Sequence, residues 1–209
     1  LRFRASASAY LNRTPSVAGN QQKFTASFWV KKCELTSDRQ IVSFGNSTTF
    51  MIYWSNSAAG QELGWGSQVL GVSNPWYMSS TAKYRDIAGW YHIVIAVDTT
   101  QATSSNRTIA YVNGVQVTSF RDNVQPTQNY NTGANSTTSH SIGRREDATN
   151  YLDGYLAEFY WVDGQQLTAS SFGATDTTTG VWAPAKYTGT YGTNGFYLQF
   201  SNIATTSGS

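Results

Sequence analysis

Glu158 and Asp153 are the carboxylates to weigh first, because cleaving a glycosidic bond takes one acid to protonate the leaving oxygen and a second to attack the sugar carbon. Glu158 lies within Leu156-Ala157-Glu158-Phe159-Tyr160-Trp161, with hydrophobic neighbours where an alternating partner acid would have to stand. Asp153 comes five positions earlier and belongs to the turn ahead of that strand, so the two are not expected to share a face. Glu158 therefore reads as a sheet residue paired with an arginine or a backbone amide. His92 and His140 are the only imidazoles. His92 sits in the run Trp90-Tyr91-His92-Ile93-Val94, which reads as a strand with a hydrogen-bonded histidine rather than a metal ligand or base. A Gly-x-Ser-x-Gly elbow is absent from the sequence, and nucleophilic hydrolysis is not indicated. The expectation is a protein that is not an enzyme.

Two binding chemistries remain. Glu146, Asp147, Asn150 and Asp153 gather hard oxygen ligands just before the strongest strand, so a calcium site is open there. Arg144 and Arg145 stand beside them, and a solvated loop held by local salt bridges is the preferred reading. No other cofactor is implied. Trp54, Trp65, Trp76 and Tyr77 fall in or beside turns of the middle third, near Asn56, Gln61, Gln68 and Asn74. Exposed, these rings would stack on the apolar faces of sugars with the amides as hydrogen-bonding partners; buried, they are core. Both readings stay open for each residue, with sugar contact expected somewhere among them.

The elements that must position these groups are strands. Phe24, Ala26, Phe28 and Val30 point one way while Thr25, Ser27, Trp29 and Lys31 point the other. From Tyr155 the same alternation sets Tyr155, Ala157, Phe159 and Trp161 against Leu156, Glu158, Tyr160 and Val162, both faces largely apolar, as in a strand covered on two sides. Further strands are expected at 2–5, 40–44, 49–54, 62–66, 76–80, 90–98, 108–112, 115–119, 140–143 and 195–200. Asn113-Gly114 between β-branched runs predicts a type I′ hairpin over 108–119, and Asp163-Gly164 predicts a second two-residue hairpin turn. Thr168 is placed to cap one short helical turn near 169–172, closed by Gly173. Long helical periodicity is missing, which removes parallel α/β folds. The fold class is all-β, a two-sheet antiparallel sandwich preferred over a barrel, forming a single domain over 1–209. Loops 101–107, 124–139 and 175–180 are polar and should project from it.

Only 12% of the residues are charged while 14% are aromatic, so the surface must be built from uncharged polar side chains, as suits neutral, hydroxyl-rich ligands. A net charge of +2 without any Lys/Arg run argues against nucleic acid. Cys33, the only cysteine, excludes an internal disulfide and reads as a small core or strand residue. No apolar run approaches the roughly 20 residues of a membrane span, and the opening LRFRASASAY lacks a signal peptide's apolar segment. Beginning in strand-like alternation, the chain is expected to be a domain of a longer polypeptide.

FTASFWVKK at Phe24, GWYHIVIAVD at Gly89 followed by IAYVNGVQV at Ile109, and SIGRREDATNYLDGYLAEFYWVDGQQLT at Ser141, in that order, resemble the concanavalin A-like jelly-roll superfamily in its laminin-G-like and pentraxin-like branch. The segment TGVWAPAKYTGTYGTNGFYLQFS from Thr179 looks like an extension carried by such domains in fibre and appendage proteins of tailed bacteriophages. The resemblance implies two curved antiparallel sheets that bind carbohydrate, sometimes through calcium, although the family's full set of acidic positions is missing, as is the strand of closely spaced carboxylates of its glucanases. It also implies a non-catalytic domain on the virion surface adhering to host-surface glycan beside other virion proteins, with a homotrimer open. The alternatives are a purely structural assembly or decoration domain and, behind it, a polysaccharide hydrolase.

Overall fold

The computed structural model describes residues 1–46, 48–56, 60–69 and 75–200. Within them the strands are β1 (Arg2–Phe3), β2 (Leu11–Arg13), β3 (Lys23–Lys32), β4 (Arg39–Phe44), β5 (Thr48–Ser55), β6 (Glu62–Val69), β7 (Trp76–Lys83), β8 (Tyr91–Asp98), β9 (Thr108–Val112), β10 (Val115–Gln116), β11 (Phe120–Val124), β12 (His140–Ile142), β13 (Gly154–Asp163), β14 (Gly173–Thr175), β15 (Trp182–Pro184) and β16 (Phe196–Leu198). Helix is confined to three single 3-10 turns, at Ala5–Ala7, Ser104–Asn106 and Ala169–Ser171. The all-β class holds.

Two antiparallel seven-stranded sheets face each other. The first runs β1-β13-β3-β8-β9-β10, with β16 also pairing β13; the second runs β11-β7-β6-β5-β4-β12-β2. Between them lie Phe24, Phe28, Phe44, Phe50, Trp54, Trp65, Trp76, Phe159 and Trp161, the alternate residues of facing strands. Phe24 stacks on Trp161 with ring centroids 4.9 Å apart, and Phe28 stacks on Phe159 at 5.4 Å. The first sheet is covered on its other face too. There Val94, Tyr160, Val162, Ala169, Phe172 and Tyr187 make a second apolar cluster, roofed by the C-terminal segment with the small β14–β15 sheet.

Four expectations are corrected. The alternation along β13 is broken by a bulge at Glu158, whose φ is +48°, between the pairs Ala157–Trp29 and Tyr160–Ser27. One extra residue shifts the phase, so Leu156 joins Phe159 and Trp161 in the inter-sheet core while Tyr160 and Val162 face the second cluster. Asp163-Gly164 is not a hairpin turn, because only Gly164 has a positive φ and the Asp163 carboxylate is buried as an anchor. It accepts from the Asn20 amide at 2.8 Å, Asn135 Nδ2 at 3.0 Å and the Asn194 amide at 3.0 Å. Thr168 precedes the 3-10 turn without a side-chain cap; its hydroxyl bonds Ser170 Oγ instead. Loop 124–139 does not project throughout: Ala134 and Asn135 are buried, Asn135 Oδ1 accepting from Trp161 Nε1 at 2.8 Å. The Asn113-Gly114 turn is as expected, with φ of +49° and +81°, although β10 ends at Gln116 and a separate strand, β11, crosses to the second sheet. Cys33, just past β3, is half-buried.

Candidate functional site

Strand parity decides which aromatic rings meet water. Tyr53-Trp54 on β5 and Trp76-Tyr77 on β7 are adjacent pairs, and neighbours on a strand point to opposite faces. In both pairs the indole goes inward and the phenol outward. Trp54, Trp65 and Trp76 are 1%, 0% and 0% exposed, so of the two readings these three take the core one and are not ligand contacts; each lies on the inward parity of its strand, within the inter-sheet core. Trp65 Nε1 finds a partner in Thr108 Oγ1 at 2.8 Å. Tyr77 is on the outer face as a ligand contact requires, and Tyr53, which sequence reasoning left out, joins it.

The register sets two glycines between them. Tyr53 pairs with Gly64 and Tyr77 with Gly66, so the middle of β6 presents no side chain to the outer face. Tyr53 lies over Gly64, where a methyl group would fall 2.5 Å from Cζ. Burial pushes the Tyr53 phenol up, keeping it protonated as both donor and acceptor. On one side a polar cavity of about 180 Å³ adjoins Tyr53, lined also by Arg39, Gln40, Gln68, Arg145 and Asn150. Arg145 Nη2 donates to Gln68 Oε1 at 2.6 Å, and Ser43 Oγ donates to Glu146 Oε2 at 2.6 Å. On the other side Arg121 holds two acids, Glu62 at 3.0 Å and Asp122 at 2.8 Å, with Lys83 also on Glu62 and Ser79 Oγ donating to Asp122. The half-buried Tyr53 and Tyr77 rings, with amides and ion pairs at the margins, can stack on a neutral pyranose and bond its hydroxyls.

The remaining sequence-derived residues are placed elsewhere. Asn56 anchors a loop, its Nδ2 donating to the Thr36 carbonyl at 2.6 Å and its amide to Asp38 Oδ1 at 2.5 Å. Asn74 lies outside the described residues. Gln61 is buried, accepting from Lys32 Nζ at 2.5 Å. The four residues considered for calcium are not brought to one point. Asp153 pairs with Arg2 at 2.5 Å, Asp147 bonds the Thr149 hydroxyl, Glu146 faces Ser43, and Asn150 accepts the Gln40 amide through its main chain. Among the described residues no three His, Cys, Asp or Glu side chains form a metal-binding group.

The groups weighed for catalysis are engaged as structural partners. Glu158 accepts from Tyr197 Oη at 2.6 Å and Tyr160 Oη at 3.2 Å, in place of the arginine or amide expected. His92 is sandwiched between Trp29 and Trp182, at 5.1 and 5.9 Å between centroids. Trp182 Nε1 donates to its Nδ1 at 2.9 Å, so the ring proton is on Nε2 and points to Ser27 Oγ, 2.9 Å away. That tautomer cannot take a proton from Ser27.

The family description that matches residues 5–171 of this chain is "Concanavalin A-like lectin/glucanases superfamily" in its laminin-G form. The chain belongs to this superfamily. No curated protein matches it. Among solved structures, this superfamily member is similar to the native heptameric SAP-like pentraxin of Limulus polyphemus at 20% identity, covering 76% of this chain and 71% of the pentraxin with a TM-score of 0.51. A candidate carbohydrate binding protein of Bacteroides ovatus is 15% identical, covering 80% of this chain and 43% of its own, TM-score 0.56. Tailspike protein 2 of an Escherichia coli O157:H7 bacteriophage is 11% identical, covering 82% and 23%, TM-score 0.53. The chain thus spans under half of the second protein and under a quarter of the third, and the likeness is one of fold.

Proposed function

We propose that this concanavalin A-like domain binds carbohydrate on the outer face of its second sheet, without catalysis, as part of a bacteriophage virion that adheres to host-surface glycan. The observation that carries the reading is the placement of Tyr53 and Tyr77 on either side of Gly64 and Gly66. Two half-buried phenol rings on one face of the sheet offer stacking surface to a sugar, and the amides and ion pairs around them supply partners for its hydroxyls. The superfamily's lectin members and the carbohydrate-binding Bacteroides relative support the ligand class; the tailspike relative and the segment from Thr179 support the virion setting.

Against hydrolysis stands the state of Glu62 and Asp122, two acids on this face. Glu62 is engaged by Lys83 and Arg121, and Asp122 by Arg121 and Ser79, so neither occupies the apolar setting that holds a general acid ready. A glycan array probed with wild type and with Tyr53→Ala/Tyr77→Ala tests the reading. Binding by wild type to host-surface oligosaccharides, lost in the double variant, is the expected result; equal binding by both, or release of reducing ends that depends on Glu62, contradicts it.

A further inference from the structure

A second cavity, of about 350 Å³, lies between the sheets at the edge where β2 and β12 face β13 and β16. Its wall is apolar, with Leu11, Phe44, Ile142, Trp161, Phe196 and Leu198 contributing. For scale, roughly 150 Å³ of dry apolar cavity admits benzene, and small-molecule pockets begin at about 300 Å³. The half-buried Leu11, Phe196 and Leu198 carry it toward the surface.

The polar groups around this space are mostly committed. Asn135 spends its amide on Asn20, Asp163 and Trp161, and Asn194 Nδ2 donates to the Val17 carbonyl at 3.0 Å. Arg13 donates to the Asn194 carbonyl at 3.1 Å and covers the Phe196 ring at 5.6 Å. His140, 6% exposed, is different. Its Nδ1 lies 2.8 Å from the Thr138 carbonyl, an acceptor only, so that nitrogen carries the proton and Nε2 is a bare lone pair. Nε2 is buried and has no hydrogen-bond partner among the described residues. Burial lowers the imidazole to about 4, and the ring is neutral at physiological pH. A buried acceptor left open costs on the order of 1–3 kcal/mol, which a ligand's donor would recover.

We propose that this cavity is a binding site for a small apolar molecule carrying one hydroxyl, an aryl or short alkyl alcohol, whose O–H is donated to His140 Nε2. The site is separate from Tyr53 and Tyr77, since it lies between the sheets rather than on the outer face.

The test uses ¹⁵N-histidine-labelled protein, in which two imidazoles give two separable sets of signals. Benzyl alcohol is titrated against toluene, its analogue without a donor. Saturable binding of benzyl alcohol is expected, with an upfield shift of His140 Nε2, no change at His92, and about tenfold weaker binding of toluene. His140→Phe keeps the ring and is expected to bind both probes alike. Absence of a saturable shift in wild type, or equal affinities for the two probes there, overturns the proposal, and neither readout depends on the variant folding.

Discussion

Buried ionisable side chains make this protein's stability depend on pH in a defined direction. His92 and His140 are each lowered by burial to about 4, against about 6.5 when unfolded. Between those values the unfolded chain binds protons that the folded one does not, so stability is lost as pH falls from 6.5 toward 4, on the order of 3 kcal/mol per imidazole. Lys32, with Nζ donating to Gln61 and the Tyr84 carbonyl and lying 3.9 Å from the Trp54 ring centroid, is lowered by burial to about 7. The same sign follows there, with stability rising as pH climbs from 7 to 9. Urea midpoints at pH 4.5, 7 and 9 should increase in that order. Asp163 binds three donors from three loops, and Asp163→Ala is expected to cost about 3 kcal/mol in the same assay. Neither role was legible in the sequence, where Asp163 reads as a turn former and Lys32 carries no expectation. Burial depends on which loops cross above a side chain.

At the scale of elements, period-two alternation revealed most strands but could not reveal a break in their phase. β3 keeps its pattern, with Phe24, Ala26, Phe28 and Val30 in the core as the sequence implies. In β13 the bulge at Glu158 changes the face assigned to every residue beyond it, and Glu158 is not a residue type that announces a positive φ. The consequence is testable. Deleting Glu158 should turn Phe159 and Trp161 out of the core and leave a chain without a cooperative thermal transition, whereas Glu158→Asn, which tolerates the left-handed region, should melt within a few degrees of wild type. The candidate site was half legible in the same way. Tyr77, singled out in the sequence, lies on the outer face, Tyr53 is overlooked there beside the bulkier Trp54, and the signal that places both is the Tyr-Trp adjacency combined with glycines on the strand between. Gly64→Val, with Tyr53 2.5 Å from even a methyl group, should displace the ring and weaken glycan binding at least tenfold, read by calorimetry.

For the whole molecule, the two-sheet sandwich is extended by chain beyond the superfamily match at residue 171. That segment roofs the first sheet. Phe172 and Tyr187 pack on Tyr160 at 5.4 and 6.5 Å and Trp182 on His92, while Phe196 of the added strand β16 extends the inter-sheet core beside Phe159. A chain ending at Ser171 would expose these faces, and its loss of stability, on the order of 5 kcal/mol or more, is checked by calorimetric melting against the full chain. The sequence shows the apolar content of both faces of β13, hence a cover on each side, while which segment supplies the outer cover depends on long-range packing. The central claim is that sugar is held on the outer face of the second sheet at Tyr53 and Tyr77. Amide shift mapping by NMR during titration with a host-surface oligosaccharide measures this directly. The account predicts the largest shifts at Tyr53, Gly64, Gly66 and Tyr77; shifts confined to another surface, or none at saturating sugar, would contradict it.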